Sequence, residues 1–178
     1  MKKLTMLLSL VLITVISASS VWGKDIIEDA KTLKGVNKAY IRADGLACYF
    51  CAYGLERFFR KSGKVAAYDM NMKEGVVEIT FIKGKPLMVV GELHQIVYDA
   101  GYTPRETSYE LVGKLEKSGV EYLFHPEGTG QSFPFKSVSA LTIDPAKLIG
   151  KTVTLKTRAE KYQGNSMALQ PISIETAN

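Results

Sequence analysis

Cys48 and Cys51, in the stretch Gly45-Leu46-Ala47-Cys48-Tyr49-Phe50-Cys51-Ala52, are the only cysteines of the chain. Two thiols separated by two residues just before a helix can converge on one point. The exposed amide hydrogens and positive dipole end of that helix favour thiolate over thiol. Two soft thiolates suit Cu(I) or Hg(II), which accept two-coordinate geometry, whereas Zn(II) normally takes four ligands, and Cd(II) ranks with Zn(II) as a poorer fit. Such a pair passes its metal on by ligand exchange, with no turnover of a substrate. Two other readings stay open. Exported cysteines are commonly oxidised, so the pair could be a plain disulfide, although a bridge closing so small a loop restricts the unfolded chain little. It could also serve an extracytoplasmic thiol-disulfide oxidoreductase, but residues 24–47 are too short for the region that precedes the motif in a thioredoxin-like enzyme.

Export is inferred from the start of the chain. Lys2 and Lys3 precede an apolar run from Leu4 to Ile16, and the small residues near Ala18 and Gly23 suit cleavage, so residues 1–23 read as a signal peptide. The run is shorter than the roughly 20 residues of a spanning helix, which argues against stable membrane insertion after cleavage. The expected location is the periplasm or the exterior. Cleavage removes Lys2 and Lys3, leaving 21 basic against 18 acidic residues, net +3. That balance is too mild to imply a nucleic-acid partner.

The elements that must carry the cysteines follow from periodicity. Residues 24–36 have helical spacing and predict a leading helix or tether. Lys38 to Ala43 predicts a strand, and a helix is expected over Tyr49 to Lys61, stopped by Ser62-Gly63. Val65 to Lys73 and Val77 to Phe81 predict a hairpin around Glu74-Gly75. Pro86 is expected in the first turn of a second helix carrying Leu93, Ile96, Val97 and Ala100, with Gly101 as its stop. A strand follows from Tyr102. Pro104 cannot donate to a ladder, which places that strand at a sheet edge. The order βαββαβ over residues 37–107 predicts an α+β ferredoxin-like sandwich.

That order, with a two-cysteine loop between first strand and first helix, resembles the heavy-metal-associated domain of copper chaperones, metal-pumping ATPases and periplasmic mercury-binding proteins. The matching residues are Gly45, Cys48 and Cys51 in the loop, Leu55 and Glu56 in the helix, and Ile96, Asp99, Ala100, Gly101 and Tyr102 in the closing segment. The resemblance implies a carrier of soft metal ions with Cys48 and Cys51 as ligands. It also implies a metal-donating or metal-accepting partner such as a transporter or oxidase. Leu46 stands where the family has a core methionine, an exchange that cores tolerate. Tyr49 and Phe50 are bulkier than the family's residues between the cysteines and bear on how openly metal is presented; Tyr102 would sit beside the loop. Met70 and Met72 look like a thioether pair, but they fall where the family places core residues, and core is the reading adopted. His94 is expected on a partly solvated helix flank. Arg57, Arg60, Lys61 and Lys64 form a basic helix end, a solvated surface or a face for an acidic partner.

Residues 108–178 turn β-rich. Alternating apolar residues around Tyr109 to Leu115, Val120 to Phe124, Phe133 to Val138, Val153 to Leu155 and Leu169 to Ile174 predict about five strands. Asp144-Pro145 begins a one-turn helix that Gly150 ends. Five strands with a short helix after the third predict a separate OB-like β-barrel domain, with a small half-sandwich as the alternative, serving as scaffold or docking module. His125 with Met167 is a candidate second soft-metal pair, against a plain solvated loop histidine.

Overall fold

A computed structural model of the chain describes residues 36–46, 48–136, 141, 143–162 and 166–177. The signal peptide expected over 1–23, the leading helix expected over 24–36 (Val36 apart) and Val138 lie outside the described residues. Eight strands and two helices follow in order: β1 (Lys38–Asp44), α1 (Tyr49–Lys61), β2 (Val65–Asn71), β3 (Val76–Phe81), α2 (Val90–Asp99), β4 (Thr103–Ser118), β5 (Glu121–Pro126), β6 (Phe133–Pro134), β7 (Thr152–Tyr162) and β8 (Ser166–Thr176). A 3-10 turn, Pro145–Leu148, precedes β7, with Asp144 Oδ1 accepting the Ala146 N–H at 3.0 Å. Among the described residues no helix is long and apolar enough to cross a membrane.

All eight strands belong to one antiparallel sheet, ordered β2-β3-β1-β4-β5-β6, with β7 on β4 and β8 on β7. This overturns the expected ferredoxin-like sandwich followed by a separate barrel. The physical reason is β4. Its alternating burial of Thr107, Tyr109 and Leu111 meets no breaker near residue 107, so the strand runs on unbroken to Ser118. One edge of β4 carries β1 along residues 103–110 and then β5 along 113–118, while the other carries β7 along 108–114. Ser108, where the second region was expected to begin, is paired on both sides. A continuous set of buried residues runs from Ala39 and Ile41 through Leu111 and Phe124 to Ile174, so the two halves share a core.

The hand-over from β1 to β5 is made at Val112. Its N–H donates to Asn37 Oδ1 at 2.9 Å, and its carbonyl accepts the Glu127 N–H at 2.7 Å. Both backbone groups are thus satisfied where neither strand can reach them. The next residue is Gly113. A Cβ there would collide with the carbonyl group of His125 and come within 2.9 Å of Pro126 Cα, so β5 can close on β4 only because the side chain is absent.

Three local expectations are corrected, one of them in part. Pro86 lies in an extended segment and α2 begins four residues later, at Val90. The buried run Leu87-Met88-Val89 is pinned from elsewhere: Gln131 accepts the Leu87 N–H at 2.6 Å and donates to the Leu87 carbonyl at 3.3 Å, and the Tyr109 hydroxyl donates to the Met88 carbonyl at 3.0 Å. Pro104 lies where β4 has β1 on one side and no described strand on the other, so the edge expectation holds at that residue, but from Ser108 onward β4 is flanked on both sides. The proline is accommodated because β7 starts to pair only at Ser108 and the β1 register shifts between Ile41 and Ala43. Val120, expected in a strand, is 95% exposed at the tip of the β4–β5 hairpin.

Because the halves share β4 and a core, urea should unfold the described part in one transition. Gly113→Ala should lower the unfolding free energy by about 1–3 kcal/mol, the usual cost of forcing atoms into a packed site, and move that single midpoint to lower urea. Two separated transitions by circular dichroism, or an unchanged midpoint, would contradict this account of β4.

Candidate functional site

The site is built where β1 turns into α1. Gly45 leaves the strand at φ +97°, a backbone conformation that glycine adopts freely. Leu46 then inserts into the core at 7% exposure, anchoring the loop from inside. Asp44, the last residue of β1, is held by Arg105 at 2.6 Å and Arg42 at 3.6 Å. These are surface pairs and contribute little to stability, but they fix the strand end against the start of β4.

Cys48 is the N-cap of α1. Its Sγ accepts the Cys51 N–H at 3.2 Å, and its carbonyl accepts the Ala52 N–H at 3.1 Å. A sulfur here takes the place usually held by a serine or aspartate oxygen. The first turn of α1 contains no acidic residue, so no carboxylate offsets the positive end of the helix. The Cys48 and Cys51 sulfurs are joined as a disulfide, with the Cα atoms 5.2 Å apart. The sequence separates them by two residues, and the helical turn brings both to the same end of α1.

Tyr102 lies against this loop at two points. Its hydroxyl donates to the Cys51 carbonyl at 3.3 Å, and its ring lies 3.6 Å from where a Gly45 Cβ would stand. Tyr49 and Phe50 are 81% and 89% exposed, so neither is packed as a lid over the sulfurs. Tyr53 extends this exposed aromatic face by one turn. Tyr68, which the sequence reading passed over, donates its hydroxyl to the Ala52 carbonyl at 3.2 Å. Burial, reinforced by the negative charge of Glu56, pushes its pKa far above the ordinary phenol value, which keeps it a donor. Its signal in the sequence was period-two spacing with Met70 and Met72, a spacing that reads equally well as core.

Met70 and Met72 are half-buried, and Met70 packs against the hydrophobic core, as the core reading expects. Both line a groove between α1 and β2, together with Tyr49, Ala52 and Tyr53. His125 and Met167 do not form a pair: Met167 is wholly buried, while His125 Nε2 stands 3.0 Å from Glu116 Oε2 on the neighbouring strand. Of the basic residues on α1 and beyond, Arg60 pairs with Glu56, Lys64 pairs with Glu92, and Lys61 lies over the Phe58 ring. Arg57 is exposed. Among the described residues no group of three or more His, Cys, Asp or Glu side chains is placed to hold a metal ion. A closed four-ligand zinc site is therefore not assembled from these side chains.

No protein-family model matches the chain, and no curated protein matches it either.

His94 sits away from the cysteines, its Nε2 3.0 Å from the hydroxyl of buried Thr107. Burial lowers its pKa and the Lys161 charge adds to the lowering, while a backbone hydrogen bond with Arg105 opposes them. A histidine whose folded pKa is depressed stabilises the fold fully above its unfolded value of about 6.5 and loses that contribution as pH falls through the lower folded value. Stability measured by urea midpoint should therefore drop on going from pH 7 to pH 5, and His94→Gln should flatten that drop. An identical pH slope in the variant would show that His94 does not contribute.

Proposed function

We propose that this chain is an exported, non-enzymatic carrier of soft metal ions, holding Cu(I) or Hg(II) between the reduced thiolates of Cys48 and Cys51. The observation that carries the reading is the placement of both sulfurs at the first turn of α1, where the Cys51 N–H already points at Cys48 Sγ. On reduction, that N–H and the helix dipole favour the charged thiolates that bind soft ions. The exposed flanks at Tyr49 and Phe50 leave a partner able to approach. Transfer proceeds by exchange: an incoming thiolate, thioether or imidazole of a transporter or oxidase joins the ion before one cysteine leaves. Two-coordinate sulfur suits Cu(I) and Hg(II) and leaves Zn(II) and Cd(II) short of ligands.

A thiol-disulfide oxidoreductase is the second reading, favoured by the bonded state of the pair. In that case the two sulfurs would cycle against substrate disulfides and carry no stoichiometric metal. In the carrier, the same disulfide is a resting form that has to be reduced before loading.

Competition titration of the reduced, oxygen-free protein with Cu(I) and Hg(II) separates the two. One tight equivalent is expected, and Cys48→Ser/Cys51→Ser should weaken it at least a hundredfold. No tight equivalent in the reduced wild type, together with turnover of a disulfide substrate, would replace the carrier with the oxidoreductase.

A further inference from the structure

The groove between α1 and β2 has a volume of about 270 Å³ and opens to solvent beside the helix turn that carries the cysteines. Its lining joins the aromatic residues Tyr49, Tyr53 and Tyr68 to two thioethers, Met70 and Met72, with the Glu56 and Asp69 carboxylates also on its wall. Tyr68 and Met70, two residues apart on β2, project from the same face, and Met72, the first residue of the turn after β2, joins them in the groove lining. β2 is the last strand on its side of the sheet, so the groove between it and α1 lies at the sheet edge. The contrast with the other described methionines is sharp: Met88 and Met167 are 1% and 0% exposed, whereas Met70 and Met72 are both half-buried at the groove. The Tyr68 hydroxyl, fixed on the Ala52 carbonyl, stands 3.9 Å from Met70 Sδ.

We propose that Met70 and Met72 form a second soft-cation site, thioether-ligated, for a monovalent ion of the Cu(I) or Ag(I) type. Thioethers are soft, neutral donors, so they select such ions over hard divalent cations and need no deprotonation to bind. The nearby carboxylates are poor ligands for a soft ion, but their negative charge raises the local concentration of cations. The site goes beyond the dithiolate reading and does not rest on it, because it remains available while Cys48 and Cys51 are bonded.

The test uses disulfide-intact protein, which offers no thiolate, with Ag(I) in chloride-free buffer as a redox-inert probe. In spectra of protein carrying carbon-13 methionine methyl groups, one equivalent of Ag(I) is expected to shift the Met70 and Met72 signals and leave those of Met88 and Met167 in place. Met70→Leu/Met72→Leu, which conserves volume, should weaken Ag(I) binding at least tenfold. Unmoved Met70 and Met72 signals under excess Ag(I), or wild-type affinity in the double variant, would overturn the proposal. Either result is independent of whether the reduced cysteines carry metal.

Discussion

The structure depends on how β4 is shared. Where β4 is flanked on both sides, from Ser108 to Lys114, each backbone group needs a partner. Here the partner on one edge changes identity at Val112, from β1 to β5. Asn37 supplies an acceptor and Glu127 a donor at that point, and Gly113 leaves room for β5 to close. With this junction in place, the start of β4 is a rigid platform, and Arg105, Thr107 and Tyr109 hold Asp44, His94 and Met88 respectively.

The cysteine loop inherits its geometry from that platform. β1 pairs with β4, so Asp44 and Gly45 are placed next to Thr103 and Tyr102. Leu46 is buried and Tyr102 reaches the Cys51 carbonyl, which leaves the loop little freedom at its base. The sulfurs meet at the positive end of α1, while the aromatic residues between them face solvent. Rigid support below and exposure above are what a site needs if it must bind an ion and also release it to another protein.

What could be read from the sequence was what local rules determine. The span of α1, the hairpin turn at Gly75 and the 3-10 turn after Asp144 follow from periodicity, capping and left-handed glycines, all encoded within a few residues. The cysteine pair was legible for the same reason. The length of β4 was not, because nothing within residues 103–118 says that its edges will be taken by segments near residues 40, 123 and 155. Pro86 misled because the extended run after it is stabilised by Gln131 and Tyr109, far away in sequence. Met70 and Met72 carried a core-like pattern that the fold realises in part: Met70 packs against the core while both stay half-buried, since β2 ends at Asn71 and Met72 falls in the turn.

The central claim is that the Cys48 and Cys51 sulfurs together hold a soft ion. X-ray absorption at the copper edge tests it most directly, using reduced Met70→Leu/Met72→Leu protein loaded with one equivalent of Cu(I), so that the groove thioethers cannot contribute. A first shell of two sulfur donors is the predicted result. A shell of nitrogen or oxygen donors, or copper that washes off before measurement, would contradict the account.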